Sequence, residues 1–334
     1  MQEKSFGQSI SFNVLVYGFY GHGNLGDQLF CEAFKTIFPN INFSFSDCIT
    51  IDKIKDASAI FIGGGSFLYN NIEMSQECLN ILRTKKIFYV GVGAETDIHP
   101  AHQDLMRIAR LVALRSSAGA EKVRELNSNV MIIPDIVYSL KMGQSEKKKP
   151  KSVLVLPNIH AVPQNTDAHW KHNSWEHFKF EFSQFLDFIV EDGFTVNFFS
   201  MCNNNKHSDD WTAYEIISNM KYRDGNSLIK ARSSDIKDIC KLFSKYDTII
   251  TQRFHGIILS EITRVPYMSI YHHDKLMRSS INEGIFVSMY AISKRLLIDQ
   301  FYLANKIKLS ESIAIESDMF KSLESQIISI LLEP

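Results

Sequence analysis

The chain has 334 residues, 45% of them hydrophobic, and its 36 basic and 37 acidic side chains nearly cancel. That length and composition fit two domains with packed cores. The balanced charge excludes a global field that would draw the protein to nucleic acid, so no nucleic-acid partner is expected and any bound anion must be held by a local site.

The first residues, Met1 to Ser11, are polar and carry Glu3, Lys4 and Gln8, unlike the charged-then-apolar start of a secretory signal. No apolar run approaches the roughly 18 to 20 residues that cross a bilayer. The expectation is a cytoplasmic protein, at most peripheral at the inner membrane face. Cys31, Cys48, Cys78, Cys202 and Cys240 are scattered without a Cys-x-x-Cys pair, which suits reduced, mostly buried thiols. His169, His172 and His177 lie at mixed spacings without a carboxylate or thiolate partner, so no metal is expected.

From the start, strand-length apolar runs alternate with amphipathic stretches. Phe12 to Tyr17 precedes a helical pattern over Leu25 to Phe38, Ala57 to Ile62 precedes one over Glu73 to Thr84, and Lys86 to Val90 precedes one over Ala101 to Arg110. Leu111 to Leu114 and Val130 to Ile133 then bracket a helix-like stretch from Ser117 to Leu126. This alternation is the signature of a parallel sheet covered by helices. The charged, core-less stretch from Gly143 to Lys151 reads as an exposed linker, better than as a basic contact with lipid phosphates. It divides the chain into domains 1–148 and 149–334.

The pattern restarts with a strand at Val153 to Leu156, a helix at Trp175 to Glu191, a strand at Thr195 to Ser200 and a helix at Asp210 to Met220. A helix at Ser234 to Lys245, a strand at Thr248 to Thr251, a helix from Gly256 to Thr263 and a strand at Tyr267 to Ile270 follow. The expected fold class is α/β, two Rossmann-like domains facing a cleft, with ligands outside the carboxyl ends of the strands.

Three glycine-bearing turns follow strands of the first half: Gly18 to Gln28, Gly63 to Leu68 and Gly91 to Glu95. Glycines let the backbone turn tightly and approach a ligand, and free amides at a helix start favour an anion. The first turn lacks both the useful Gly-x-Gly-x-x-Gly spacing and the lysine of a P-loop. Asp27 is either an acid at a helix start or a catalytic group, and His22 either a polar loop residue or a substrate contact. In the second half Gln252-Arg253-Phe254-His255-Gly256 opens a helix after a strand. Arginine offers a bidentate fork to phosphate or carboxylate, and histidine moves protons near neutral pH. Lys275 follows another strand and can add a point charge.

Together these residues resemble the polysaccharide pyruvyl transferase family. The resemblance rests on Asn24-Leu25-Gly26-Asp27, Gly63 to Ser66, Leu114-Arg115-Ser116-Ser117 with Pro134-Asp135 downstream, Arg253-Phe254-His255, and Lys275, in the family's order over roughly residues 13 to 290. Each mark is weak alone and the set is specific. Ser116 departs from the acidic residue frequent in the family, and Pro157 to His177 is unusually rich in His, Asn and Trp.

The resemblance implies a fold similar to B-type glycosyltransferases and a pyruvyl group moved from phosphoenolpyruvate to a sugar of a surface polysaccharide or its precursor, lipid-linked or not, as a ketal. It implies phosphoenolpyruvate as donor substrate without a cofactor, held by Arg115, Arg253 and Lys275 with the turn Gly64, Gly65 and Ser66. His255 would transfer the proton and Asp27 would be the base. His22, Asn24, Glu95, Trp170 and Trp175, with His172 and Asn173, are the expected acceptor border, although a tryptophan pair also suits a core. The alternatives are a nucleotide-sugar glycosyltransferase on the same fold and a non-catalytic carbohydrate-binding relative.

Overall fold

The computed structural model describes residues 12–94, 97–140, 150–158, 168–204, 207–225, 227–230, 236–271, 283–309 and 313–333. The chain divides into two compact units. One takes the residues up to Gly21, Phe30–Ser139 and the chain from Ile315 on; the other takes His22–Leu29 and Leu140–Ala314. The segment His22–Leu29, a turn and the start of the first helix, therefore counts with the second unit, although it lies early in the chain.

The first part of the chain runs β1 (Phe12–Tyr17), α1 (Leu25–Ile37), β2 (Ile41–Ser46), α2 (Ile51–Lys55), β3 (Ala59–Gly65), α3 (Gln76–Leu82), β4 (Lys86–Val92), α4 (Pro100–Ile108), β5 (Leu111–Leu114), α5 (Ala120–Leu126) and β6 (Val130–Ile132). Its strands form one parallel sheet in the order β2-β1-β3-β4-β5-β6. The central strands β3 and β5 are apolar along their length because helices cover both faces. Phe34, Phe38, Phe43, Phe61 and Phe88 interlock by edge and tilted ring contacts on one face.

The second part runs β7 (Ser152–Leu156), α6 (Ala168–Glu191), β8 (Thr195–Ser200), β9 (Asn203–Asn204), β10 (His207–Ser208), α7 (Asp209–Asn219), β11 (Ser227–Lys230), α8 (Ile236–Phe243), β12 (Thr248–Thr251), α9 (Phe254–Ile262), β13 (Tyr267–Tyr271), β14 (Ile285–Ser288), α10 (Lys294–Ala304) and α11 (Ile313–Leu332). Its parallel sheet has the order β11-β8-β7-β12-β13-β14, and β9 pairs with β10 as a small antiparallel ribbon. Counted within the unit this is the 3-2-1-4-5-6 order of dinucleotide-binding folds, whereas the first sheet begins 2-1-3 as in flavodoxin-like folds. Both are Rossmann-like. Most of α11 counts with the first unit, where Lys86 Nζ donates to the carbonyls of Leu331 and Glu333.

The direction of each sheet reverses once, between β1 and β3 in the first and between β7 and β12 in the second. In open α/β sheets ligands bind at such points, outside the carboxyl ends of the strands. The glycines Gly63–Gly65, expected as a turn after Ile62, form the last residues of β3 at the first, and Arg253 follows β12 at the second.

Candidate active site

At the first switch point the backbone turns with φ of +80° at Gly64 and +94° at Gly65, a region open to glycine and strained for other residues. A Cβ on Gly64 would stand 2.7 Å from the Phe30 ring and 3.0 Å from the Tyr20 hydroxyl. That hydroxyl donates to the Gly63 carbonyl at 2.8 Å. Arg115 leaves the end of β5 and is enclosed: Nη1 donates to Asp135 Oδ2 at 3.0 Å and Nη2 to Ser66 Oγ at 2.6 Å. The Arg115 and Asp135 side chains are 4% and 1% exposed, so this is a buried ion pair that joins β5 to the glycine turn. The amide of Gly93 donates to the carbonyl of Gly65 at 3.1 Å, tying the third glycine turn to the second.

The second switch point carries the Arg-Phe-His segment. Gln252 is buried; its amide donates to the Leu156 carbonyl at 2.9 Å, and its Oε1 accepts from the Asn158 amide at 3.0 Å, which knits the end of β12 to the end of β7. Thr251 Oγ1 accepts from the Arg253 amide at 2.9 Å and fixes the backbone where α9 begins. Arg253 Nη2 donates to Asp209 Oδ1. His255 is half-buried in the first turn of α9, with Phe254 edge-on beside it.

The segment His22–Leu29, which ends in the first residues of α1, belongs to the same unit. Asn24 forms an antiparallel bridge with Cys202, the Leu25 amide donates to the Met201 carbonyl at 2.7 Å, and the Asn203 amide donates to the Gly23 carbonyl at 3.0 Å. Asn24 Oδ1 accepts from the Gly26 amide at 3.0 Å, so this expected acceptor contact acts at the start of α1. Asp27 is in the first turn of α1, where a carboxylate suits the helix dipole. Gly26 packs against the imidazole of His255. The Asn24–Asp27 motif and the Arg-Phe-His motif thus meet in space, and His22 is half-buried just before the first of them.

Nothing in the sequence marks Asp209, because an acid behind Ser208 looks like any helix start. It is fully buried. Burial pushes its carboxyl up, while the Arg253 guanidinium and the amides of Cys202 and Met201 pull it the other way.

Trp175, expected at the acceptor border, lies in the core of the second unit. Its ring stacks on Phe178 at 5.3 Å, and its Nε1 donates to Glu215 Oε2 at 2.7 Å. The cause is periodicity: residues 175, 178, 182, 185 and 189 form the stripe of α6 that faces the sheet. The exposed tryptophan on the described surface of this unit is Trp211, at 72%, with Tyr214 at 53% one turn further along α7. Glu95 and Lys275 lie outside the described residues, as do the side chains of Trp170, His172 and Asn173.

Two Rossmann-like units in one chain define the class, the architecture of B-type glycosyltransferases. The fold is similar to that of the UDP-GlcNAc 2-epimerase from Methanocaldococcus jannaschii, with a TM-score of 0.56 at 10% identity over 96% of this chain and 99% of that one. It is also similar to Anabaena Alr3699/HepE, solved in complex with UDP and glucose, with a TM-score of 0.53 at 10% identity over 97% of this chain and 100% of that one. At such identity the likeness concerns the fold alone. The chain belongs to the polysaccharide pyruvyl transferase family, whose model matches residues 24–274. No curated protein gives a significant match. No helix among the described residues is long and apolar enough to cross a membrane.

Proposed function

We propose that the protein transfers a pyruvyl group from phosphoenolpyruvate to two hydroxyls of one sugar in a surface polysaccharide or its precursor. The observation that carries this reading is the pairing of an oriented arginine with a half-buried histidine at the start of α9, at the second switch point, beside the Asn24–Asp27 loop. Phosphoenolpyruvate presents a phosphate and a carboxylate; Arg253 offers a fork to one of them, and the amides at the start of α9 favour the same charge. His255 gives a proton to the methylene carbon, the first sugar hydroxyl attacks the central carbon, phosphate leaves, and the second hydroxyl closes the ketal. Asp27 takes the proton of one attacking hydroxyl, and the departing phosphate carries away the other. Lys275 supplies a further charge, and Arg115 acts through the Ser66 turn. No cofactor takes part. The reaction is placed in the cytoplasm, with the acceptor free or lipid-linked and in the latter case met at the membrane surface.

A nucleotide-sugar donor is the competing reading, favoured by the likeness in fold to a protein solved with UDP and glucose. Melting curves separate the two, since a ligand that binds only the folded state raises the melting temperature. Millimolar phosphoenolpyruvate is expected to raise it in the wild type and not in Arg253→Ala, each compared with its own ligand-free curve, which in the variant starts lower because the buried Asp209 loses its partner. A shift with UDP-glucose and none with phosphoenolpyruvate supports the competing reading.

A further inference from the structure

We propose that Asp209 is a positioning residue that locks the Arg253 guanidinium and the Gly23–Gly26 loop into one geometry. One carboxylate serves both. Its Oδ1 accepts from Arg253 Nη2, and its Oδ2 accepts from the amides of Met201 at 3.0 Å and Cys202 at 2.9 Å. The same stretch of backbone holds the loop: Met201 accepts from Leu25 at 2.7 Å, Asn203 donates to Gly23 at 3.0 Å, and Cys202 bridges Asn24. Any movement of the carboxylate therefore moves the arginine and the loop together, and with the loop the Gly26 backbone that bounds His255.

A purely structural role explains this arrangement less well. The start of α7 is already capped by Ser208, whose Oγ accepts from the Asp210 amide at 3.2 Å. A fully buried carboxylate is a costly way to gain stability, because a well-packed apolar residue often does as well. The Arg253 side chain is 15% exposed, and its buried Nε has no partner among the described residues. A guanidinium held at Nη2 and still partly exposed is set to meet an acceptor from outside the chain. The negative charge also balances Arg253, so donor binding depends on how the fork is aimed more than on net charge.

The kinetic half of the test rests on the phosphoenolpyruvate reading; the hydrogen-exchange half does not. Asp209→Asn keeps the shape and one acceptor but removes the charge. It is expected to raise the KM for phosphoenolpyruvate about ten-fold, a loss of about 1.4 kcal/mol. In an Arg253→Lys background, which keeps a cation but no fork, the same change is expected to add less than about two-fold, because neighbours acting through one another are not additive. A fall in kcat with KM unchanged, or full additivity, would overturn the proposal.

If the wild type does not turn over phosphoenolpyruvate, the donor reading fails and amide exchange decides the positioning role. Faster exchange in residues 22–29 and 201–203 of Asp209→Asn supports it, and unchanged exchange overturns it. Should Asp209→Asn not fold, Asp209→Glu keeps the charge and displaces the fork by one methylene. The same KM rise and faster exchange are expected of it, and wild-type values of both contradict the proposal.

Discussion

Gly26 lies against the imidazole of His255. A Cβ built on this glycine would stand 2.9 Å from Cε1 of His255, 3.0 Å from Cγ and closer still to Nδ1. The absent side chain at residue 26 thus sets where the ring at residue 255 can be, although 229 positions separate them in the sequence.

Gly26→Ala follows from that contact. The methyl group must displace the imidazole, and misplacing a reacting group by about 1 Å costs on the order of 100-fold in rate. Overpacking of this kind destabilises by about 1–3 kcal/mol. Turnover is therefore expected to fall far more than the folded fraction at assay temperature, measured by kcat beside a melting curve. Wild-type turnover in this variant would separate the loop from the chemistry.

His255→Gln keeps a hydrogen-bonding side chain and removes the proton carrier. Lost acid catalysis lowers kcat by roughly 100- to 10,000-fold, with a far smaller change in donor affinity. A variant with wild-type kcat and a raised donor KM would make His255 a binding residue. Asp27 and His22 would then be the groups of the loop to test for the proton.

His102 gives the first unit an acid-sensitive point. It is fully buried, with Nδ1 3.2 Å from the Tyr89 hydroxyl, and burial, with a smaller contribution from His99, lowers its pKa to about 4. The unfolded chain takes up this proton near pH 6.5, the folded chain only near 4. Its stabilising effect is present in full above pH 6.5 and is lost as the pH falls toward 4, by an amount on the order of 3 kcal/mol. Urea midpoints at pH 7.5 and 4.5 are expected to differ less in His102→Gln than in the wild type. An equal pH response in the two would exclude this group.

Several elements could be read from the sequence because burial on both faces leaves continuous apolar runs. β1, β8 and β12 coincide with the expected runs, and β4 extends Lys86 to Val90 by two residues, to Val92. β2, the edge strand Ile-Asn-Phe-Ser-Phe-Ser, alternates apolar and polar residues as a half-buried strand does and so lacks the continuous apolar run of the inner strands. β11, Ser-Leu-Ile-Lys, is too short to stand out from a loop. At the candidate site, the strand-to-helix step that carries Arg253 and His255 is legible in the sequence because an apolar run ends directly before it. Asp209 was hidden because only the fold brings it to Arg253, which lies 44 residues further on. Trp175 is the converse: the ring's chemistry suits a sugar contact, while its helical spacing with Phe178, Phe182 and Phe185 puts it in the core.

The most direct test is the product. The wild type is incubated with phosphoenolpyruvate and a pool of sugar acceptors extracted from cell-surface polysaccharide, and the sugars are followed by mass spectrometry beside a phosphate assay. The account predicts one phosphate released per modified sugar, with a mass gain of one pyruvate less one water. It also predicts that the gain is lost in Arg253→Ala. Sugars that stay unchanged with phosphoenolpyruvate but lengthen by one sugar unit with a nucleotide-sugar donor would contradict it.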